Sequence, residues 1–158
     1  YEHHYPLMQI KNEIRLPLPR TLITVVEFIL NRDLCEVLES ENIDINRLQT
    51  IVDEMKRWSF KRDQGNFSFV ASQKISELMG RLTTQPKNIA LIETIEAVLN
   101  TLNQLTLDLD LWKAQNIYFA IGRQYYAERR QHAKLDELAR KWVQSFDRLG
   151  AILQVKII

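Results

Sequence analysis

The chain's 158 residues match the usual size of one domain and suffice to bury a core, with 46% hydrophobic and 26% charged side chains. That mix excludes a disordered or membrane-embedded chain, and a formal net charge of +1 argues against chain-wide attraction to nucleic acid or an anionic membrane. Cys35 is the single cysteine, which excludes an internal disulfide framework and a cysteine-based metal cluster and points to a reducing, cytoplasmic setting.

Only four Gly and four Pro occur, and three of the prolines (Pro6, Pro17, Pro19) lie in the first 19 residues, leaving long stretches free of helix breakers. The sequence has no apolar run of about 18 residues and no signal-peptide pattern at its start. It opens on Tyr1 rather than Met, so a piece of a longer protein is expected.

Residues 1–19 read as an ordered lead-in or linker, because each proline of Leu16-Pro17-Leu18-Pro19 biases its predecessor toward extended geometry. Residues 20–158 read as one helical domain. Pro19 suits a helix start, and Leu22, Val25, Val26, Ile29, Leu30, Leu34, Val37 and Leu38 then recur at helical spacing, predicting a helix of roughly 18 residues with a bend near Asn31. Ile23 and Phe28 fall outside that stripe, so packing on more than one side is expected.

Asp44 stands where an N-cap is wanted, ahead of a stripe of Leu48, Ile51, Val52, Met55 and Trp58. The polar segment 61–66, with Gly65 and Asn66, predicts a loop. A third helix is expected from about Phe69 to Thr83, before Pro86. From Asn88, Leu91, Ile92, Ile95, Val98, Leu99, Leu102 and Leu105 give the cleanest helical period in the chain. Residues 105–111 alternate as a short strand would but lack a partner, so a connector is expected. Asp110 can cap a fifth helix carrying Leu111, Ala114, Tyr118, Ile121 and Tyr125, and Leu135, Leu138, Trp142, Phe146 and Leu149 mark another. The fold class is therefore all-α, an antiparallel bundle or array of about six helices.

Charge is unevenly distributed. Residues 1–110 hold 12 basic and 16 acidic side chains and residues 111–158 hold 9 and 4, an excess that reads first as a solvated helix face. Asp33, Glu36, Asp53, Glu54, Glu93 and Glu96 sit on patterned helices, and nothing in their spacing forces two of them to converge as an acid/base pair. His3 and His4 are adjacent rather than on one helix face, and His132 has no ligand-like neighbour, so no metal is expected. Cys35 lies beside the apolar stripe and reads as a small core hydrophobe. Nucleophile elbows, phosphate-cradling glycine loops and dinucleotide fingerprints are absent from the sequence, and no catalytic residue or cofactor is expected.

The distinctive segment is 110–119. A helix there brings Trp112, Gln115 and Phe119 together, with Asn116 a short rotation away, and Arg123 and Tyr126 continue it in polar-aromatic style. An aromatic ring can cover the apolar face of a pyranose while amides read its hydroxyls. The competing reading is a bundle core with Trp112 and Tyr118 half-buried and Gln115 and Asn116 as hydrogen-bonding bridges, and spacing alone favours it.

The Leu16-Pro-Leu-Pro-Arg20 lead-in, the Val26-Glu-Phe-Ile-Leu-Asn-Arg-Asp-Leu34 stretch and above all Leu111-Trp-Lys-Ala-Gln-Asn-Ile-Tyr118 resemble the C-terminal helical domain of unknown function found in bacterial proteins whose N-terminal part is a family 57 glycoside hydrolase. The similarity spans nearly the whole chain. It implies an intracellular parent related to α-amylases and α-mannosidases, whose catalytic barrel and carboxylates lie upstream of Tyr1. By analogy with helical regions that pack on such barrels, Trp112, Gln115, Asn116 and Tyr118 become candidates for a barrel-facing surface or the wall of an α-glucan cleft. The expected function is thus a non-catalytic accessory domain, partnered by the upstream catalytic domain and an α-linked oligosaccharide, with no membrane partner. The alternative is a helical protein-interaction or oligomerisation module. A third reading has Arg129, Arg130, Lys134, Arg140 and Lys141 bind nucleic acid, against which the low net charge and sparse aromatics weigh.

Overall fold

A computed structural model describes residues 5–13, 19–58 and 64–156. Among them the chain is all-helical, as expected, with helices packed on one another and no strand. It divides into two compact units, residues 1–63 and 64–158.

The first unit holds α1 (Tyr5–Glu13), α2 (Arg20–Glu39) and α3 (Ile45–Trp58). The carbonyl of Pro19 accepts from the amides of Leu22 and Ile23, at 3.0 and 3.1 Å, so the proline opens α2. This helix runs continuously past Asn31 and buries Val26, Leu30, Leu34, Val37 and Leu38. It stops where Ser40 turns extended and its hydroxyl donates to the Val37 carbonyl at 2.6 Å. The Asp44 carboxylate accepts from the Arg47 amide at 3.0 Å and starts α3, which packs its whole predicted stripe, Leu48 to Trp58, inward against α2.

Two expectations for this unit change. Phe28 is 67% exposed and Val25 48%, so the apolar surplus of α2 is not taken up in the described packing. The lead-in also contains a helix. Nine residues are too few to hold a helix alone, and α1 is held by tertiary contacts: Met8 is buried, and the Tyr5 hydroxyl donates to Glu54 Oε1 at 2.7 Å. Arg57 donates to that same carboxylate oxygen and to the Tyr5 hydroxyl, while Trp58 Nε1 donates to Glu54 Oε2 at 2.9 Å. The proline pattern concealed a helix that is tied to α3 through Tyr5.

The second unit is a ring of four helices, α4 (Gln64–Thr84), α5 (Ile89–Asn103), α6 (Trp112–His132) and α7 (Glu137–Leu153). α4 and α7 each pack on α5 and α6. The first of these begins at Gln64, five residues earlier than predicted, because fully buried Phe67 anchors a turn that contains the helix-averse Gly65 and Asn66. Residues 61–63 of the predicted loop lie outside the described residues. α5 starts with the Asn88 side chain accepting from the Leu91 amide at 3.1 Å and buries Ile92, Ile95, Val98, Leu99 and Leu102. The alternating 105–111 stretch is a connector with no strand: Leu105 is buried, Thr106 takes φ 52°, and the Asp110 amide donates to Ser72 Oγ at 2.9 Å.

Cross-links fix the register of α7. Trp142 Nε1 donates to the Pro86 carbonyl at the α4–α5 turn, 2.7 Å away, and Arg148 reaches Glu96 at 3.0 Å and Glu93 at 3.8 Å. α5 and α7 therefore run parallel, while α6, joined to α7 by a short turn, runs opposite to it. Trp142, Phe146 and Leu149 are buried as predicted, but Leu135 and Leu138, assigned to the same stripe, are 97% and 65% exposed.

Candidate functional site

Helix α6 places the candidate residues on different faces. Ala114, Tyr118, Ile121 and Gly122 face the core. Tyr118 is 2% exposed, its ring stacks on Phe146 at 4.2 Å with the planes 11° apart, and Phe146 stacks in turn on Trp142 at 4.6 Å. The Tyr118 hydroxyl donates to the Phe146 carbonyl at 3.0 Å. Burial, reinforced by the negative charge of Asp147 and by Tyr126, raises its pKa above the ordinary phenol range. The Tyr126 hydroxyl donates to Asp147 Oδ1 at 2.8 Å, and its pKa is raised too, by burial first and then by that bond. Tyr118 is thus a fully buried core ring rather than a half-buried or surface one.

The opposite face carries the other candidates. Trp112 is 73% exposed, Asn116 is exposed, and Phe119 is 45% exposed with the Arg123 guanidinium 5.9 Å from its ring centre. Residues 112, 116, 119 and 123 recur every three or four positions, which gathers them into one outer stripe. A half-buried Trp112 does not describe this surface.

Gln115 lies between the two faces. Its Nε2 donates to the Leu153 carbonyl at 2.9 Å and so closes the end of α7. Gln115 also lines a cleft of about 500 Å³. The polar lining comes from Asn103, Asp110, Gln115 and Gln154, and the apolar part from Leu109, Leu111, Ile152 and Leu153. Trp112 follows directly on Leu111, where the Asp110 carboxylate accepts its amide at 3.2 Å. The cleft is shaped at its α7 side by Gln154, whose left-handed backbone (φ 58°) lets the Val155 amide reach the Gly150 carbonyl at 2.9 Å.

Several of these residues escape a reading by spacing. Asn103, Ser72 and Gln154 act from other elements and carry no local motif. Gly150 did leave a signal: a glycine inside the Phe146, Leu149, Leu153 stripe marks a close approach. A β-carbon there would collide with the Tyr118 hydroxyl and lie 2.7 Å from its Cζ.

The carboxylates weighed as an acid/base pair are engaged at scattered places. Asp33 pairs with Arg32 at 3.0 Å, Glu36 with Arg47 at 3.5 Å and Glu54 with Arg57 at 2.8 Å. Asp53 accepts from Gln49 at 2.9 Å, and Arg148 ties Glu93 to Glu96. Cys35 is half-buried on α2. His3 and His4 lie outside the described residues, and His132 Nδ1 is 3.9 Å from Glu128. Among the described residues no group of three His, Cys, Asp or Glu side chains could hold a metal ion, and no helix is long and apolar enough to cross a membrane. Comparison with protein families, curated proteins and solved structures returns no match for this chain.

Proposed function

We propose that the chain is a non-catalytic, cytoplasmic accessory domain of a family 57-type glycoside hydrolase, which holds an α-linked glucan at the start of α6. The observation that carries this reading is Trp112, 73% exposed and next in the chain to Asp110 and Leu111, which line a polar cleft of about 500 Å³. That volume falls within the range of about 300–1,000 Å³ usual for small-molecule sites. The indole supplies a flat apolar platform, and Asn103, Asp110, Gln115 and Gln154 supply donors and acceptors for sugar hydroxyls. Tyr118 acts from beneath by holding α6 on α7. The outer stripe of Asn116, Phe119 and Arg123 then serves as the surface toward the catalytic domain.

Titrating maltooligosaccharides at millimolar concentration should shift the Trp112 indole NMR signal, and Trp112→Ala should abolish saturation without unfolding the chain. An indole signal that stays still throughout the titration would reject the glucan role. The partner role is separate: adding the upstream hydrolase domain should raise the stability of this chain, and no change at saturating concentration would reject it.

Val25 and Phe28, exposed on α2, favour the second reading, a protein-interaction module. It expects a concentration-dependent dimer by sedimentation, and a monomer at every concentration counts against self-association.

A further inference from the structure

The far end of the α6–α7 hairpin is unlike the rest of the second unit. Trp142 marks where α7 passes the α4–α5 turn, and Tyr126 of α6 lies opposite Asp147 of α7. Residues 128–141 therefore extend past the helices that cover the remainder of the pair. Of these fourteen residues only Ala139 is buried, and only Arg129 and Ala133 are half-buried.

At the apex stand Leu135, 97% exposed, and Leu138, 65% exposed. The fold does not use them. Asp136 caps α7 by accepting the Leu138 amide at 3.0 Å, which makes Leu135 the residue before the cap. Such a residue commonly packs on the fourth helical residue, but here that position is Arg140, whose Nε is turned to the Ala133 carbonyl at 3.3 Å. Two leucines three positions apart thus project without a local partner. Around them, residues 128–141 carry five Arg and Lys against three Asp and Glu. Arg130, Lys134, Arg140 and Lys141 are exposed; of the acids, Glu137 is exposed, Asp136 is engaged as a cap and Glu128 stands beside His132.

We propose that this apex docks on an anionic lipid surface, with Leu135 and Leu138 entering the headgroup and acyl boundary and Arg130, Lys134 and Lys141 meeting the phosphates. Charge complementarity and shape select this occupant. A protein partner would have to bring a pocket of its own, since an apex nearly free of neighbours offers no groove wall. A bilayer interface accepts a convex apolar point without one. Nucleic acid would use the cations but gain little from two aliphatic side chains, where stacking rings are the usual contact. The chain-wide charge of +1 concealed this because it averages the apex with acidic residues elsewhere. With two leucines and a small positive excess, binding should be weak, reversible and salt-sensitive.

Sedimentation of the whole chain with vesicles of phosphatidylglycerol and phosphatidylcholine in equal parts, at low ionic strength, tests this. The chain should pellet with mixed vesicles and remain in solution with phosphatidylcholine alone. Leu135→Ser with Leu138→Ser, and separately Lys134→Glu with Lys141→Glu, should each lower partitioning about tenfold. Circular dichroism should leave the helix content of both variants unchanged, because all four side chains are exposed. Chain that stays in solution with the mixed vesicles, or leucine variants that pellet as well as the wild type, would overturn the proposal. So would a basic chain that binds single-stranded RNA and no vesicle.

Discussion

The two faces of α6 differ in what holds each side chain in place. On the inner face Tyr118 is fixed by stacking on Phe146, by its hydroxyl on the Phe146 carbonyl and by the space Gly150 leaves for it. On the outer face Trp112 is held mainly at its backbone, and its ring stands 73% exposed. Aromatic content alone therefore says little about role, since fewer than two turns of helix separate a core ring from an exposed one. Under the proposed glucan role, inner substitutions should change stability and outer ones binding.

The largest expected effect is Gly150→Ala. The added methyl must displace Tyr118 or bend α7, a cost of about 3 kcal/mol, visible as a lower urea midpoint. Tyr118→Phe in the same chain removes the atom it strikes first and should return part of that loss, giving a non-zero coupling in a double-mutant cycle. Strict additivity would mean that the inner face is not packed in this way.

Alkaline unfolding tests the same ring. A tyrosine whose folded pKa is raised keeps its proton while the unfolded chain releases it, so the unfolded state binds fewer protons above pH 10 or so, the ordinary phenol value. The stabilisation is complete below that pH and is lost as pH rises through it, by about 1.4 kcal/mol per pH unit for one such group. Urea unfolding at about pH 8 and about pH 11 should show the fall, and Tyr118→Phe should make it shallower. An unchanged slope in the variant would mean that Tyr118 ionises freely in the folded chain.

What the sequence made legible follows this contrast. Most features that depend on spacing along one helix read correctly: the α3 and α5 stripes, the Asp44 cap, and the Trp142, Phe146, Leu149 seam. Features supplied by another element were invisible. α1 is bonded to Glu54 of α3, the start of α4 carries buried Phe67, and the cleft lined by Gln115 draws Asn103 and Gln154 from α5 and the end of α7. Periodicity also carried the apolar seam of α7 too far, to Leu135 and Leu138. It registers apolar residues at the right interval but not whether a facing helix extends far enough to cover them.

Gln115 lies between the faces and should show an intermediate response. Gln115→Ala removes the donor to the Leu153 carbonyl, costs about 1 kcal/mol in urea unfolding and loosens the cleft. An oligosaccharide should therefore bind it more weakly while the stability loss stays below that of Gly150→Ala. Equal affinity in variant and wild type would show that the cleft takes no part in binding.

The smallest stability effect belongs to Trp112→Ala, under about 0.5 kcal/mol, because the ring has little packing to lose. Its affinity for maltooligosaccharides should nevertheless fall about tenfold, which corresponds to about 1.4 kcal/mol of binding free energy. These opposite sizes are what separate a platform from a core residue. If Trp112→Ala instead destabilises the chain as much as Gln115→Ala does, the indole is packed in solution and the outer face of α6 belongs to the core after all. If neither stability nor binding moves, Trp112 is solvated surface, and only the partner-facing role of Asn116, Phe119 and Arg123 remains for this helix.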